Sequence, residues 1–343
     1  MIGYFIRRLL LIVPTFIGIT LAVFVVMHFV PGGPIERQIM AYKMAVATEG
    51  GASGGVAGFG TEIPPDALEE LRRFYGFDKP VHIRYVNWLW NLVRLDLGRS
   101  YVYQDPVWDV IKSRFPISIF LGLTGFLLSY LVCIPLGVLK AVHHGSKFDF
   151  LSSFVVFLGY SVPGWALGTA LLVLFGGGSF WSVFPLGGFR PENWELLGIG
   201  EKIVAQVRYM FLPVLCYMVG SFATLTILTK NSLLENLGQD YVRTAFAKGL
   251  DERRVIFVHA LRNSLIPLAT GLGHVISLVL AGSFLIERVF NIDGMGYLGY
   301  TSILQRDYPV ALGILVIGSL LMLLGNILSD MIYAAVDPRI RFQ

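Results

Sequence analysis

Six apolar runs, at 9–30, 117–139, 151–175, 211–229, 265–286 and 310–334, alternate with polar segments along this chain. Each is about 19 to 25 residues long, enough for a helix to cross a hydrocarbon core of roughly 30 Å. The pattern therefore predicts an all-α membrane protein with six transmembrane helices. The first run competes with a signal peptide. It is too long for an h-region, and Pro31-Gly32-Gly33-Pro34 follows it where a small-residue cleavage site would stand. We read it as a retained span that tolerates Pro14 and Gly18, as membrane helices do. Tyr160, Pro163, Gly164 and Trp165 interrupt the third run midway, and Pro213 marks the start of the fourth.

Two polar stretches stand out. The longer covers 31–115. Its Gly-rich part, 49–60, reads as a flexible loop, since no Gly-Lys-Ser/Thr follows to make it a phosphate loop. A short helix is expected over 66–75, with Glu69 and Glu70 early, Arg72 and Arg73 late and Gly76 as its stop. Over 80–97, Val81, Tyr85, Trp88, Leu89 and Leu92 share one helical face, with Trp90 nearby. That helix either lies at the membrane interface or packs on its own loop.

The second stretch covers 236–267. Asp240 to Lys248 reads as a short helix ended by Gly249, a position that favours φ > 0. Asp240 at its start and Lys248 at its end suit the helix dipole. Tyr241, Ala245 and Gly249 recur at i, i+4 and i+8, a flat stripe suited to docking against another protein. A second helix opens at Asp251 and carries Arg253, Arg254 and Arg262. Composition alone leaves an ordinary basic loop equally open.

Composition agrees with the bilayer. The chain is 55% hydrophobic and 15% charged, against about 25% charged in a soluble domain. Its net charge of +4 could suggest nucleic acid, but the basic residues flank apolar runs rather than forming a patch, so no nucleic-acid partner is expected. Cys133 and Cys216 fall inside apolar runs without metal-ligand spacing and read as packing residues. The charges also set an orientation. Arg7, Arg8, Lys140, Lys147, Lys230, Arg243, Lys248, Arg253, Arg254, Arg262, Arg339 and Arg341 all fall on one side, which the positive-inside rule makes cytoplasmic. Both termini are then cytoplasmic. The layout becomes 1–30 for the N-terminal end and first span, 31–115 for a periplasmic loop, and 116–343 for a five-helix core with a cytoplasmic loop at 230–263.

The stretch DYVRTAFAKGL at 240–250, followed by HALRNSLIP at 259–267, resembles the cytoplasmic EAA loop of ABC importer permeases, in its dipeptide/oligopeptide variant. Arg243 and Thr244 stand where the general motif has Glu and Ala, and Arg262 where it has Pro; the oligopeptide branch shares these departures. Residues 95–100 also resemble the family, and 145–149, 176–179, 184–186, the Gly-rich insertion, 306–310 and 336–340 are similar to the Yej-type oligopeptide permease subunit. The resemblance covers nearly the whole chain. It implies a type I permease fold in the bacterial inner membrane and an assembly with a second homologous permease, two ATP-binding subunits and a periplasmic peptide-binding protein. ATP and Mg would sit on the partner subunits, with no cofactor bound by this chain, and Asp240, Tyr241, Arg243, Thr244, Ala245, Lys248 and Gly249 would couple to the ATPases.

The residues fit such a division of labour. There is no Walker A sequence, so a chain that moves a solute with ATP must borrow its ATPase. An ion-gradient-driven transporter or channel is the alternative, but such proteins carry ionisable residues within their spans. Here His274 is the one deep candidate, with His28 and Glu287 nearer the ends. A membrane enzyme would need paired carboxylates, His-Glu-x-x-His or a Ser-His set within the spans, and none is present. For the translocation pathway the sequence offers Tyr160, Trp165, His274 and Ser283, with Gly271, Gly273 and Gly282 allowing close helix contact.

Overall fold

The computed structural model describes residues 2–29, 39, 65–74, 78–178, 180–270 and 282–336. Regular structure among these residues is helical, apart from isolated bridges at Arg99–Pro106 and Gly176–Phe184. The first apolar run is α1 (Ile2–Phe29), with Pro14 inside it. In the long polar stretch, α2 (Pro65–Phe74) opens with Asp66 in its first turn and carries a Glu69–Arg73 pair at 2.6 Å. Next comes α3 (Val81–Val93), followed by α4 (Val107–Val142).

The third run is not one straight crossing. It divides into α5 (Lys147–Ser161) and α6 (Gly164–Phe175), bent by 94°. Pro163 disfavours helical backbone at the residue before it, and Val162 is extended, with φ −98° and ψ 120°. Gly164 opens α6 where a Cβ would come within 2.7 Å of the Cys216 carbonyl oxygen, so only glycine allows this close a seat on the neighbouring helix.

That neighbour is α7 (Ile199–Leu237), which contains Pro213, buried, well inside the helix rather than at its start. Hydropathy marks the hydrocarbon-length part of a helix, whereas backbone hydrogen bonding carries α4 and α7 on through their amphipathic ends. After α7 come α8 (Asp240–Ala247) and α9 (Glu252–Arg254), a π-helical turn over Val255–Ala260, then α10 (Leu261–Ser264) and α11 (Ile266–Thr270). The chain continues with α12 (Phe284–Val289), α13 (Met295–Leu304) and α14 (Tyr308–Val336).

Among the described residues, four stretches are long and apolar enough to cross a membrane: Ile6–Met27, Val107–Val142, Ile199–Leu237 and Tyr308–Met331, with the bent α5–α6 pair as a fifth. Half of the fifth run expected from the sequence, including Gly271, Gly273 and His274, lies outside the described residues.

Contacts divide the chain into two compact units. The larger comprises Met1–Ile12, Arg114–Leu298 and Gly318–Gln343. One of its cores joins Leu121, Met210, Leu212, Val214, Cys216, Ile286, Phe290 and Ile292; another gathers where α4 and α7 end. The smaller unit comprises Val13–Ser113 and Gly299–Ile317, with Phe24, Tyr85 and Leu312 buried together.

Candidate functional site

Helix α8 is the short polar helix expected over 240–248, and its two faces differ sharply. Val242 and Ala245, 0% and 7% exposed, are buried with Val138 and Ala141 of α4, Leu233 of α7, and Val255, Ile256 and Ala260 of the π-helical turn. This corrects the expected docking stripe. Tyr241 and Gly249 are exposed, but Ala245 between them faces the chain's own core, because the helix needs an apolar foot to stand on. The free face consists of Asp240, Tyr241, Arg243, Thr244, Phe246, Ala247 and Lys248. Phe246, 46% exposed, escaped the sequence reading; an aromatic residue in an otherwise polar, basic stretch is the signal that could have found it.

Local bonds shape both ends of this helix. The Tyr241 hydroxyl donates to Asn236 Oδ1 at 2.8 Å, and Thr244 Oγ1 donates to the Asp240 carbonyl at 2.9 Å. Arg243 and Asp240 pair at 3.5 Å on the surface, where such a contact contributes little. At the other end Gly249 has φ +74°, as its position required. Its amide donates to the Phe246 carbonyl at 2.9 Å and the Leu250 amide to the Ala245 carbonyl at 3.3 Å, which together make a Schellman cap. Asp251 then caps the next helix by accepting from the Arg253 amide.

The platform under α8 is tied by polar bonds as well. Ser232 Oγ donates to the Ser264 carbonyl at 3.0 Å, and Ser264 Oγ lies 3.3 Å from the Ser232 carbonyl, so α7 is joined to α10. A few residues away, Asp149 receives Lys230 Nζ at 2.8 and 2.7 Å and Lys140 Nζ at 3.2 Å. The buried Lys140 ammonium also bonds Ser152 Oγ, Ser153 Oγ and the Asp149 carbonyl. One carboxylate thus joins the end of α4, the start of α5 and α7 near its C-terminus. It lies two residues before the apolar run at 151–175. In the sequence these lysines counted only as flanking charges; that they converge on one acid is a property of the fold.

The residues offered for a pathway are only partly brought together. Tyr160 and Trp165 flank the α5–α6 bend, both exposed. Ser283 lies elsewhere, before α12, its amide donating to the Tyr217 hydroxyl at 2.7 Å and to Glu287 Oε1 at 3.2 Å. Glu287 is itself fully buried and accepts from the Tyr217 hydroxyl and, at 2.7 Å, from the Tyr297 amide, so it holds the 282–297 segment together. Among the described residues, no three His, Cys, Asp or Glu side chains gather as a metal site.

Comparison with known proteins places this arrangement. The family described as binding-protein-dependent transport system inner membrane component matches residues 133–342, which include the α5–α6 bend, α7 and the whole α8 platform. The peptidoglycan transport system permease protein YejB of Agrobacterium fabrum is 40% identical over 359 residues, covering 99% of this chain and 98% of the relative. The inner membrane ABC transporter permease protein YejB of Escherichia coli O157:H7 is also 40% identical, covering 99% of each chain. The oligopeptide transport system permease protein AppB of Bacillus subtilis is 35% identical over the full length of both. The chain therefore belongs to the family of inner-membrane components of binding-protein-dependent transport systems, as a multi-pass permease subunit of an ABC importer.

Proposed function

We propose that this permease carries oligopeptides inward, driven by ATP hydrolysis on partner subunits, and that α8 is the coupling helix that receives the drive. The substrate class rests on full-length relatives named for peptidoglycan, oligopeptide and dipeptide transport. The assembly adds a second homologous permease, two ATP-binding subunits that hold ATP and Mg, and a periplasmic peptide-binding protein. This chain binds no cofactor and hydrolyses no ATP itself. It crosses the membrane six times, with both termini and α8 in the cytoplasm.

The observation that carries the coupling role is the division of α8 into a buried foot and an exposed face. A push on Tyr241 or Phe246 is delivered through Val242 and Ala245 to the ends of α4 and α7, and through Asp149 to the bent third span. Closure of the ATPases would draw the coupling helices together and open the pathway outward to the loaded binding protein.

Exposed aromatic anchors carry a large share of interface energy. The double variant Tyr241→Ala/Phe246→Asp should reach the membrane at normal abundance, yet bind the ATPase subunits at least about tenfold more weakly, the equivalent of roughly 1.4 kcal/mol. Uptake of a labelled tripeptide should fall with it. Normal ATPase co-purification together with normal uptake would remove α8 from the coupling role.

A further inference from the structure

Helix α3 has three faces, not two. Val81, Tyr85, Trp88 and Leu92 recur along one line; Ile83, Val86, Trp90 and Val93 along a second; Arg84, Asn87, Asn91 and Arg94 along a third. At 3.6 residues per turn these lines lie on separate sides of the helix, roughly 100–150° apart.

The first line is covered by protein. Tyr85 is buried, its hydroxyl 3.0 Å from Thr20 Oγ1 and 3.2 Å from the Ile17 carbonyl, its ring edge-on to Phe24 at 5.4 Å. Trp88 lies 6.0 Å from both rings. Of the two sequence readings for this segment, packing on its own loop is replaced by packing on α1. The second line is bare: Val86, Trp90 and Val93 are 61%, 57% and 69% exposed.

The contacts with α1 give the depth. Its apolar sequence runs to the end of the helix at Phe29. Phe24 is about 7.5 Å and Thr20 about 13.5 Å inside that end, at 1.5 Å per residue. An amphipathic helix at an interface sits about 5–10 Å into the headgroup–acyl boundary. At the same level α1 exposes Leu21, Val25 and Val26. A bare valine–tryptophan line at that depth suits acyl chains, while the exposed Asn87 and Asn91 on the remaining side suit water. Arg94 stacks over Trp90 at 4.9 Å, setting a guanidinium where the apolar line ends, the place of a headgroup phosphate.

We propose that the second face of α3 is a lipid-docking surface. Phospholipid acyl chains cover Ile83, Val86, Trp90 and Val93, and the helix is a float at one membrane boundary, braced against α1. Of the two sequence readings it is the membrane interface that this face takes up, whichever way the chain is oriented and whatever it carries.

Nitroxide accessibility tests this in phospholipid nanodiscs with co-purifying subunits retained. Cys133 and Cys216 are buried, and the unsubstituted protein is the blank. Labels at Val86→Cys and Val93→Cys should collide freely with oxygen and poorly with the water-soluble nickel–EDDA complex; at Asn91→Cys that order should reverse. Ile83→Cys replaces either valine variant that fails to reach the membrane. Ready nickel collisions at Val86 and Val93 would put the face in water and overturn the proposal. Low collisions with both reagents would mean that protein, such as the second permease subunit, covers it, which also overturns the lipid assignment. Neither result bears on peptide import, so the two readings stand or fall separately.

Discussion

Gly249 ends α8 by turning the chain left-handed, with φ +74°. Because that requirement is local chemistry, the position could be read in the sequence. A Cβ there would meet nothing within 4 Å, so strain alone separates substitutions. Gly249→Asn should be nearly neutral, whereas Gly249→Val should lower stability by about 1–2 kcal/mol, read as a lower thermal midpoint. Ala245 was not legible. Periodicity says which residues share a side of a helix, not whether that side meets its own protein or another. Ala245→Asp would set an unpaired carboxylate among Val138, Leu233, Val242 and Val255, at a cost of several kcal/mol. That variant should therefore be lost from the membrane, in contrast to Tyr241→Ala/Phe246→Asp on the exposed face.

The elements show a similar division. The α5–α6 break was readable, since Pro163 acts on its own neighbour, and the first, second, third, fourth and sixth runs were readable as apolar lengths. The π-helical turn at Val255–Ala260 and the meeting of Lys140, Asp149 and Lys230 were not, because both depend on how helices distant in sequence come together. That meeting predicts an order of stabilities. Lys140→Met removes one cation and leaves Lys230 to satisfy the carboxylate. Asp149→Asn leaves two ammonium groups without their acid, toward the lower end of about 3–5 kcal/mol since the cluster lies at helix ends. Thermal midpoints should fall in the order wild type, Lys140→Met, Asp149→Asn. Equal midpoints for the two variants would mean the charges act independently.

For the whole molecule, α7 is the measure of topology. Its 39 residues run about 58 Å, longer than the 40–45 Å of a bilayer with its headgroups. The chain just before it, at Glu195, and just after it, at Gln239, must then lie on opposite sides. Which side is which follows from charge. Lys140 and Lys230 meet at Asp149, and the platform of α8 is built from the ends of α4 and α7, so Arg243, Lys248, Arg253 and Arg254 gather at the same end of the larger unit. The positive-inside rule assigns that end to the cytoplasm. In intact cells an impermeant thiol reagent should label Glu195→Cys and spare Gln239→Cys until the membrane is opened, with the two buried native cysteines silent throughout. The reverse pattern would put α8 outside, beyond the reach of any cytoplasmic ATPase, and the importer would then need another point of drive on this chain.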